Sequence, residues 1–317
     1  MRHALRRLAM VALFLGFVQV VFGAVVRITG SGLGCGDHWP DCYGSFTPAH
    51  RGVALLIEIS HRYGAAALSL AVLALFITAW VRRDEDGVGG ENGVLRTAAA
   101  ALALVITAAI FGAVTVKLGL ATWVVVTHLA IAMTLLAVLA ETVVRAGGYT
   151  RRALRRPSEP SRSLNATRAA LGIAFVTLVF GAITANTPGA PYSCLGFPWC
   201  RAGMTPGTPL TIQVTHRVLA FLLFGHLLGM MIGARKREPG SDVARAATIS
   251  FALVTAQLLV GAALVEMHLP TGLRSFHQAM GTLVWIAIAS AHAFARPRGT
   301  RASLVTEARR AEASAAT

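Results

Sequence analysis

Four histidines in this chain fall into two matched pairs. His61 and His128 lie in the first half, His216 and His277 in the second, each near one end of a long apolar run. Two histidines on facing helices of a four-helix bundle can hold a heme iron through both axial positions, and such sites are built in bundle cores. A lone intramembrane histidine is as often a hydrogen-bonded core residue, but two pairs at corresponding places favour ligation. His226 and His292 differ, because their counterparts at the same spacing are Ala71 and Val143. They read as structural.

The neighbourhoods of two of these histidines repeat, with one change. Glu58-Ile59-Ser60-His61-Arg62 opens the first run, and Gln213-Val214-Thr215-His216-Arg217 opens its counterpart. A charge at bilayer depth costs about 3 kcal/mol even on lenient insertion scales, so ionisable residues there usually face a bundle interior and serve a function. Glu58 stands one helical turn from His61 and can address the same pocket. It can take or supply a proton, whereas Gln213 cannot. Acid–base chemistry is therefore expected in the first half and not in the second. Arg62 and Arg217 directly follow a histidine, Arg27, Arg51 and Arg274 lie on the same side of the membrane, and a guanidinium pairs bidentately with carboxylates such as heme propionates. Snorkelling of these side chains to the interface accounts for them as well.

Such residues must be positioned by membrane helices. Of 317 residues, 55% are hydrophobic and 14% charged, and the mean hydropathy is +0.62. That composition excludes a soluble domain. Eight segments meet the spanning criterion of roughly 17–25 apolar residues: 8–26, 53–81, 97–116, 122–144, 169–185, 212–234, 246–265 and 276–295. The first exceeds the apolar region of a secretory signal and reads as a retained helix. The net charge of +15 needs no nucleic-acid partner, since the basic residues sit between apolar runs. They crowd one side, and the other holds only Arg27, Arg51, Arg62, Lys117, Arg201, Arg217 and Arg274. By the positive-inside rule both termini are expected in the cytoplasm of a multi-pass cell-membrane protein.

The halves repeat. Phe22-Gly23-Ala24 matches Phe180-Gly181-Ala182, and Pro40 and Cys42 match Pro198 and Cys200, all 158 residues apart. Phe111-Gly112-Ala113 parallels Val260-Gly261-Ala262, and His128 parallels His277, both 149 apart. Four helices per half return the chain to its starting side, so the repeats are parallel. The expected fold is all-α: a four-helix bundle over 1–150 holding the catalytic half, a cytoplasmic linker over 151–168, a second bundle over 169–296, and a disordered tail over 297–317. The glycine–alanine pairs read as packing contacts between helices.

Cys35 and Cys42 follow the first helix, and Cys194 and Cys200 follow the fifth, all on the oxidising side. Of three connectivities, pairing within each loop is the simplest. Zinc held with His38 and Asp41 is the competing reading, against which the tight Cys-x-x-Cys spacing is missing.

In combination these motifs resemble the heme A synthase family. The resemblance rests on Gly23-Ala24-Val25-Val26-Arg27-Ile28-Thr29-Gly30-Ser31-Gly32-Leu33-Gly34-Cys35, on Asp37-His38-Trp39-Pro40-Asp41-Cys42, on Glu58-x-x-His61-Arg62 and on the three further histidines, and it runs to about Arg296. It implies an oxidoreductase that turns one methyl group of heme O into a formyl through successive hydroxylations, giving heme A for terminal oxidases. It also implies His61 and His128 as ligands of the substrate heme, His216 and His277 as ligands of a heme B cofactor, and Cys35–Cys42 as a functional disulfide. The implied partners are heme O, a heme O synthase, an oxidase assembly factor and a membrane electron acceptor, with a homo-oligomer among the expected assemblies. Two other classes compete. A quinone-linked diheme b-type electron carrier would explain the histidine pairs but leaves Glu58 idle. His226 and His292 as its inner ligands would lie about 15 and 22 Å along their helices from the outer pair, a poor match in level. A transporter would explain the repeat but not the histidines.

Overall fold

The computed structural model describes residues 2–47, 52–147, 162–201 and 206–296. Among them the chain forms eight α-helices: α1 Arg2–Ile28, α2 Val53–Val81, α3 Val94–Lys117, α4 Thr122–Arg145, α5 Arg162–Asn186, α6 Thr208–Arg237, α7 Asp242–Glu266 and α8 Thr271–Ala295. A short 3-10 turn, Ala190–Tyr192, precedes α6. The helices run from 24 to 30 residues, or about 36 to 45 Å, enough to cross a hydrocarbon core of roughly 30 Å with polar ends to spare. All eight are long and apolar enough to span a membrane, and the protein is an all-α, multi-pass membrane protein.

Each apolar run became a helix, and several helices overrun their apolar stretch. The largest difference is at α5, which begins at Arg162 inside the stretch 151–168 expected to be linker. Its extra turns are held by polar contacts: Ser163 Oγ donates to Glu238 Oε1 at 2.6 Å, and Thr167 Oγ1 lies 3.1 Å from His292 Nδ1. Both residues are fully buried, so hydropathy could not mark a helix that is packed but not greasy. The remaining linker, 151–161, and the tail, 297–317, lie outside the described residues.

Within each half the helices close a ring, α1–α2–α3–α4 and α5–α6–α7–α8, and the rings meet through α1, α4, α5 and α8. One continuous core runs through both, from Val72, Leu75, Met133 and Leu136 to Leu227 and Ile288. Trp285 on α8 donates its indole N–H to Met133 O on α4 at 2.6 Å, inside that core. At the opposite end from the disulfide loops, Glu141 of α4 accepts from Arg145 and from Arg296, each at 2.6 Å. Large apolar side chains such as Phe14, Leu70, Val81 and Leu259 are exposed on the outside, which suits contact with lipid. The repeat is visible in the turns as well: Gly119-Leu120 between α3 and α4, and His268-Leu269 between α7 and α8, each place two successive residues in the left-handed region.

Candidate functional site

Every one of the four paired histidines lies against a glycine of a neighbouring helix. A Cβ added at Gly181 would come 2.9 Å from His216 Cε1, at Gly23 3.2 Å from His61 Cε1, at Gly261 3.3 Å from His277 Cε1, and at Gly112 3.6 Å from His128 Cε1. These are the glycines of the repeated Phe/Val-Gly-Ala pairs. Missing side chains on α1, α3, α5 and α7 open the space into which imidazoles of α2, α4, α6 and α8 reach, so the packing is of helix against ring.

In the second half His216 and His277 line one cavity of about 230 Å³. His216 Nδ1 lies 3.0 Å from Thr177 O. A carbonyl only accepts, so Nδ1 carries the proton and Nε2 keeps its lone pair. Such a carbonyl behind a histidine fixes the tautomer that a metal needs. Gln257 of α7 donates from Nε2 to His277 O at 3.0 Å and stands 3.3 Å from His277 Nε2. His277 Nδ1 and Gln257 Oε1 are buried without a hydrogen-bond partner. The walls are largely apolar, from Leu178, Phe221, Leu258 and Val284, and Arg27, Arg217 and Arg274 join them. An apolar slot, two imidazoles and a group of cations together fit a heme: macrocycle, iron and propionates.

The first half is built differently around His61. Gln19 of α1 donates from Nε2 to His61 O at 2.9 Å and lies 3.0 Å from its Nδ1, packing over Gly64. His128 Nδ1 is buried without a partner. Glu58 is buried, accepting from Arg62 Nη2 at 2.5 Å on one oxygen and from the Cys35 N–H at 2.8 Å on the other. Its counterpart Gln213 accepts from Ser193 Oγ at 2.9 Å and donates to Pro191 O at 3.2 Å. Both side chains tie a helix to its loop; only one carries charge.

The loops themselves are stapled twice. Cys35 pairs with Cys42 and Cys194 with Cys200, each with Cα atoms 4.9 Å apart, so the sulfurs are engaged with one another rather than with zinc. Arg62 then donates to His38 O, Pro40 O and Asp41 O, and Arg217 to Cys194 O, Gly196 O and Pro198 O. Carbonyls 38 and 40 correspond to 196 and 198 in the repeat, so both arginines grip the same points. Loop anchoring, which the sequence reading did not foresee, occupies the two side chains singled out there for propionates. His226 Nε2 lies 2.9 Å from Ala166 O; with His292 on Thr167, both remaining membrane histidines engage α5.

The family model described as "COX15-CtaA: Cytochrome oxidase assembly protein" matches residues 6–54 and 49–289. The chain belongs to this family. Relatives named heme A synthase include one of Bacillus pumilus, 28% identical over 283 residues, covering 87% of this chain and 90% of that protein. Another, of Bacillus licheniformis, is 29% identical over 287 residues, covering 87% and 91%. A protein of Thermus thermophilus named protoheme IX farnesyltransferase is 30% identical over 305 residues, covering 89% of this chain but 46% of that one. The site features that sequence reasoning missed are Gln19, Gln257 and the placement of Arg27 in the second-half cavity. Only the glycines had a signal, since Gly112 and Gly261 repeat at the same spacing as His128 and His277.

Proposed function

We propose that this chain is a heme A synthase of the cell membrane, both termini cytoplasmic, that oxidises a methyl group of heme O to the formyl of heme A. The observation that carries the reading is an asymmetry between otherwise repeated halves. Both hold a histidine pair over glycines, but only the first sets a buried carboxylate, tied to a disulfide loop, one turn from a histidine. The names carried by relatives across nine-tenths of their length support the same assignment.

In this account the bundle over 1–150 takes the substrate and the second bundle holds heme B. His61 and His128 bind the iron of heme O. Glu58 accepts protons as the methyl carbon is oxidised, and Arg62 and the Cys35 amide hold its two oxygens in place meanwhile. Two successive two-electron oxidations, each adding a water-derived hydroxyl, releasing two protons and passing its electrons to a membrane electron acceptor, give a geminal diol, and loss of water leaves the formyl. His216 and His277 hold heme B, which when bound supplies one-electron transfer. Thr177 O keeps the His216 ring in the tautomer that ligation requires, and the apolar walls exclude water. The substrate comes from a prenyl transfer to heme. The Thermus relative, named for that transfer and over twice as long as the matched segment, suggests a heme O synthase as neighbour. An oxidase assembly factor and a membrane electron acceptor complete the partners.

Co-expression with a heme O synthase, followed by extraction and chromatography of the hemes, tests the assignment. Heme A or hydroxylated heme O should accumulate. Well-folded protein that yields heme O and heme B alone would contradict it, and would favour the electron-carrier reading.

A further inference from the structure

The cations of the second-half cavity are drawn from both halves of the chain. Arg217 on α6 and Arg274 on α8 belong to the second bundle, whereas Arg27 reaches it from the last turn of α1. Arg217 is spent on loop carbonyls. Arg27 gives one N–H to Ala185 O at 3.1 Å, and no hydrogen bond to the Arg274 guanidinium occurs among the described residues. None of the residues lining the cavity is acidic, and the described ion pairs include neither Arg27 nor Arg274. The nearby Glu266 is engaged by Arg201 and the Phe197 N–H.

Two like charges set against the apolar walls of one cavity are costly unless an anion joins them. The positions equivalent to them in the other half are uncharged: Ala185 for Arg27, Val125 for Arg274. The cation pair is therefore peculiar to the second cavity and owes nothing to the repeat.

We propose that Arg27 and Arg274 clamp the two propionate carboxylates of the porphyrin held between His216 and His277, so that the first half of the chain completes the cofactor site of the second. The proposal rests on the heme reading of that cavity. It supplies a reason for one heme to stay while the other leaves: the retained cofactor is gripped by two guanidiniums, and the substrate half has uncharged residues at those places. Charge-assisted bidentate pairs are the strong class of hydrogen bond, and guanidinium matches carboxylate geometry.

The test uses the full-length protein in detergent, with His61→Ala as background to confine binding to the second half. It is loaded with heme B or with heme B dimethyl ester, whose propionates can no longer ionise, and loss of each porphyrin to apomyoglobin is timed. Protein with both arginines should release the ester at least about tenfold faster than heme B. Arg27→Ala and Arg274→Ala should each speed heme B loss about tenfold and leave ester loss unchanged, and Arg27→Lys should restore part of the difference. The ester arm separates a lost clamp from a loosened bundle, which would speed both. Equal retention of heme B and ester with both arginines present, or intact discrimination in both alanine variants, overturns the proposal. Full heme B retention in His277→Ala would instead overturn the heme reading beneath it.

Discussion

Gly181 and His216 are in contact across α5 and α6 so closely that a single added methyl group would sit 2.9 Å from the imidazole Cε1. An alanine here must push the ring aside; Gly23 and Gly261 are tight to a lesser degree, and Gly112 has room for a methyl group. Alanine substitution should therefore damage heme binding in the order of the contacts. Gly181→Ala should displace its ring and lower bound heme B severalfold, Gly261→Ala less so, and Gly112→Ala, at an ordinary 3.6 Å, should be tolerated. Heme-to-protein ratios and Soret spectra of the purified variants check the ranking. A Gly112→Ala defect larger than that of Gly181→Ala would break it.

Arg62 holds three loop carbonyls and Glu58 at once, with its side chain 13% exposed and that of Glu58 5%. Removing one partner of a buried pair costs about 3–5 kcal/mol, most of it from the charge left behind. Arg62→Ala should lower the thermal midpoint and expose Cys35–Cys42 to reductant, whereas exposed Arg201, whose side chain is 69% exposed, should be replaceable with little effect. Thiol labelling after mild reduction reads this directly. Equal labelling of the wild type and Arg62→Ala would show that the arginine does not brace the loop.

Glu58→Gln makes the first half resemble the second. Gln can still accept from the Cys35 N–H and keeps its shape, but it cannot titrate or pair as an anion with Arg62. The expected result is protein that binds heme in both halves and stalls before the formyl product. Heme O, hydroxylated heme O and heme A are quantified at matched expression. Unchanged heme A would leave Glu58 as a loop anchor alone.

Trp285 joins the halves through Met133 O. Trp285→Phe keeps a ring in the core but removes the inter-half hydrogen bond, leaving Met133 O only its partner within α4, at a cost of about 0.5–1.5 kcal/mol. Thermal unfolding in detergent should shift downward by a few degrees, with the heme spectra of folded protein unchanged.

Much of this was legible in the sequence, for physical reasons. Hydropathy finds helices because a membrane demands long apolar runs, and the eight segments are the eight helices. It fails at α5, where Arg162 to Arg168 continue the helix by packing Ser163 and Thr167 against α6 and α8 rather than by burial in lipid. The histidine pairs were visible because a titratable residue in an apolar run stands out. Gln19 and Gln257, which address those histidines, carry no such mark, and their partners lie on other helices. Arg27 read as an outer cation open to either propionates or snorkelling, with no sign of which heme it serves, because which half a side chain faces is decided by the packing of α1 against α8.

The central claim is a division of labour between two heme sites, and one set of variants tests it most directly. His61→Ala, His128→Ala, His216→Ala and His277→Ala are each co-expressed with a heme O synthase, and tightly bound heme B and converted heme are measured from the same preparation. The account predicts that His216→Ala and His277→Ala lose heme B, while His61→Ala and His128→Ala retain it and yield no heme A. Loss of the same heme in the same proportion from all four would contradict it.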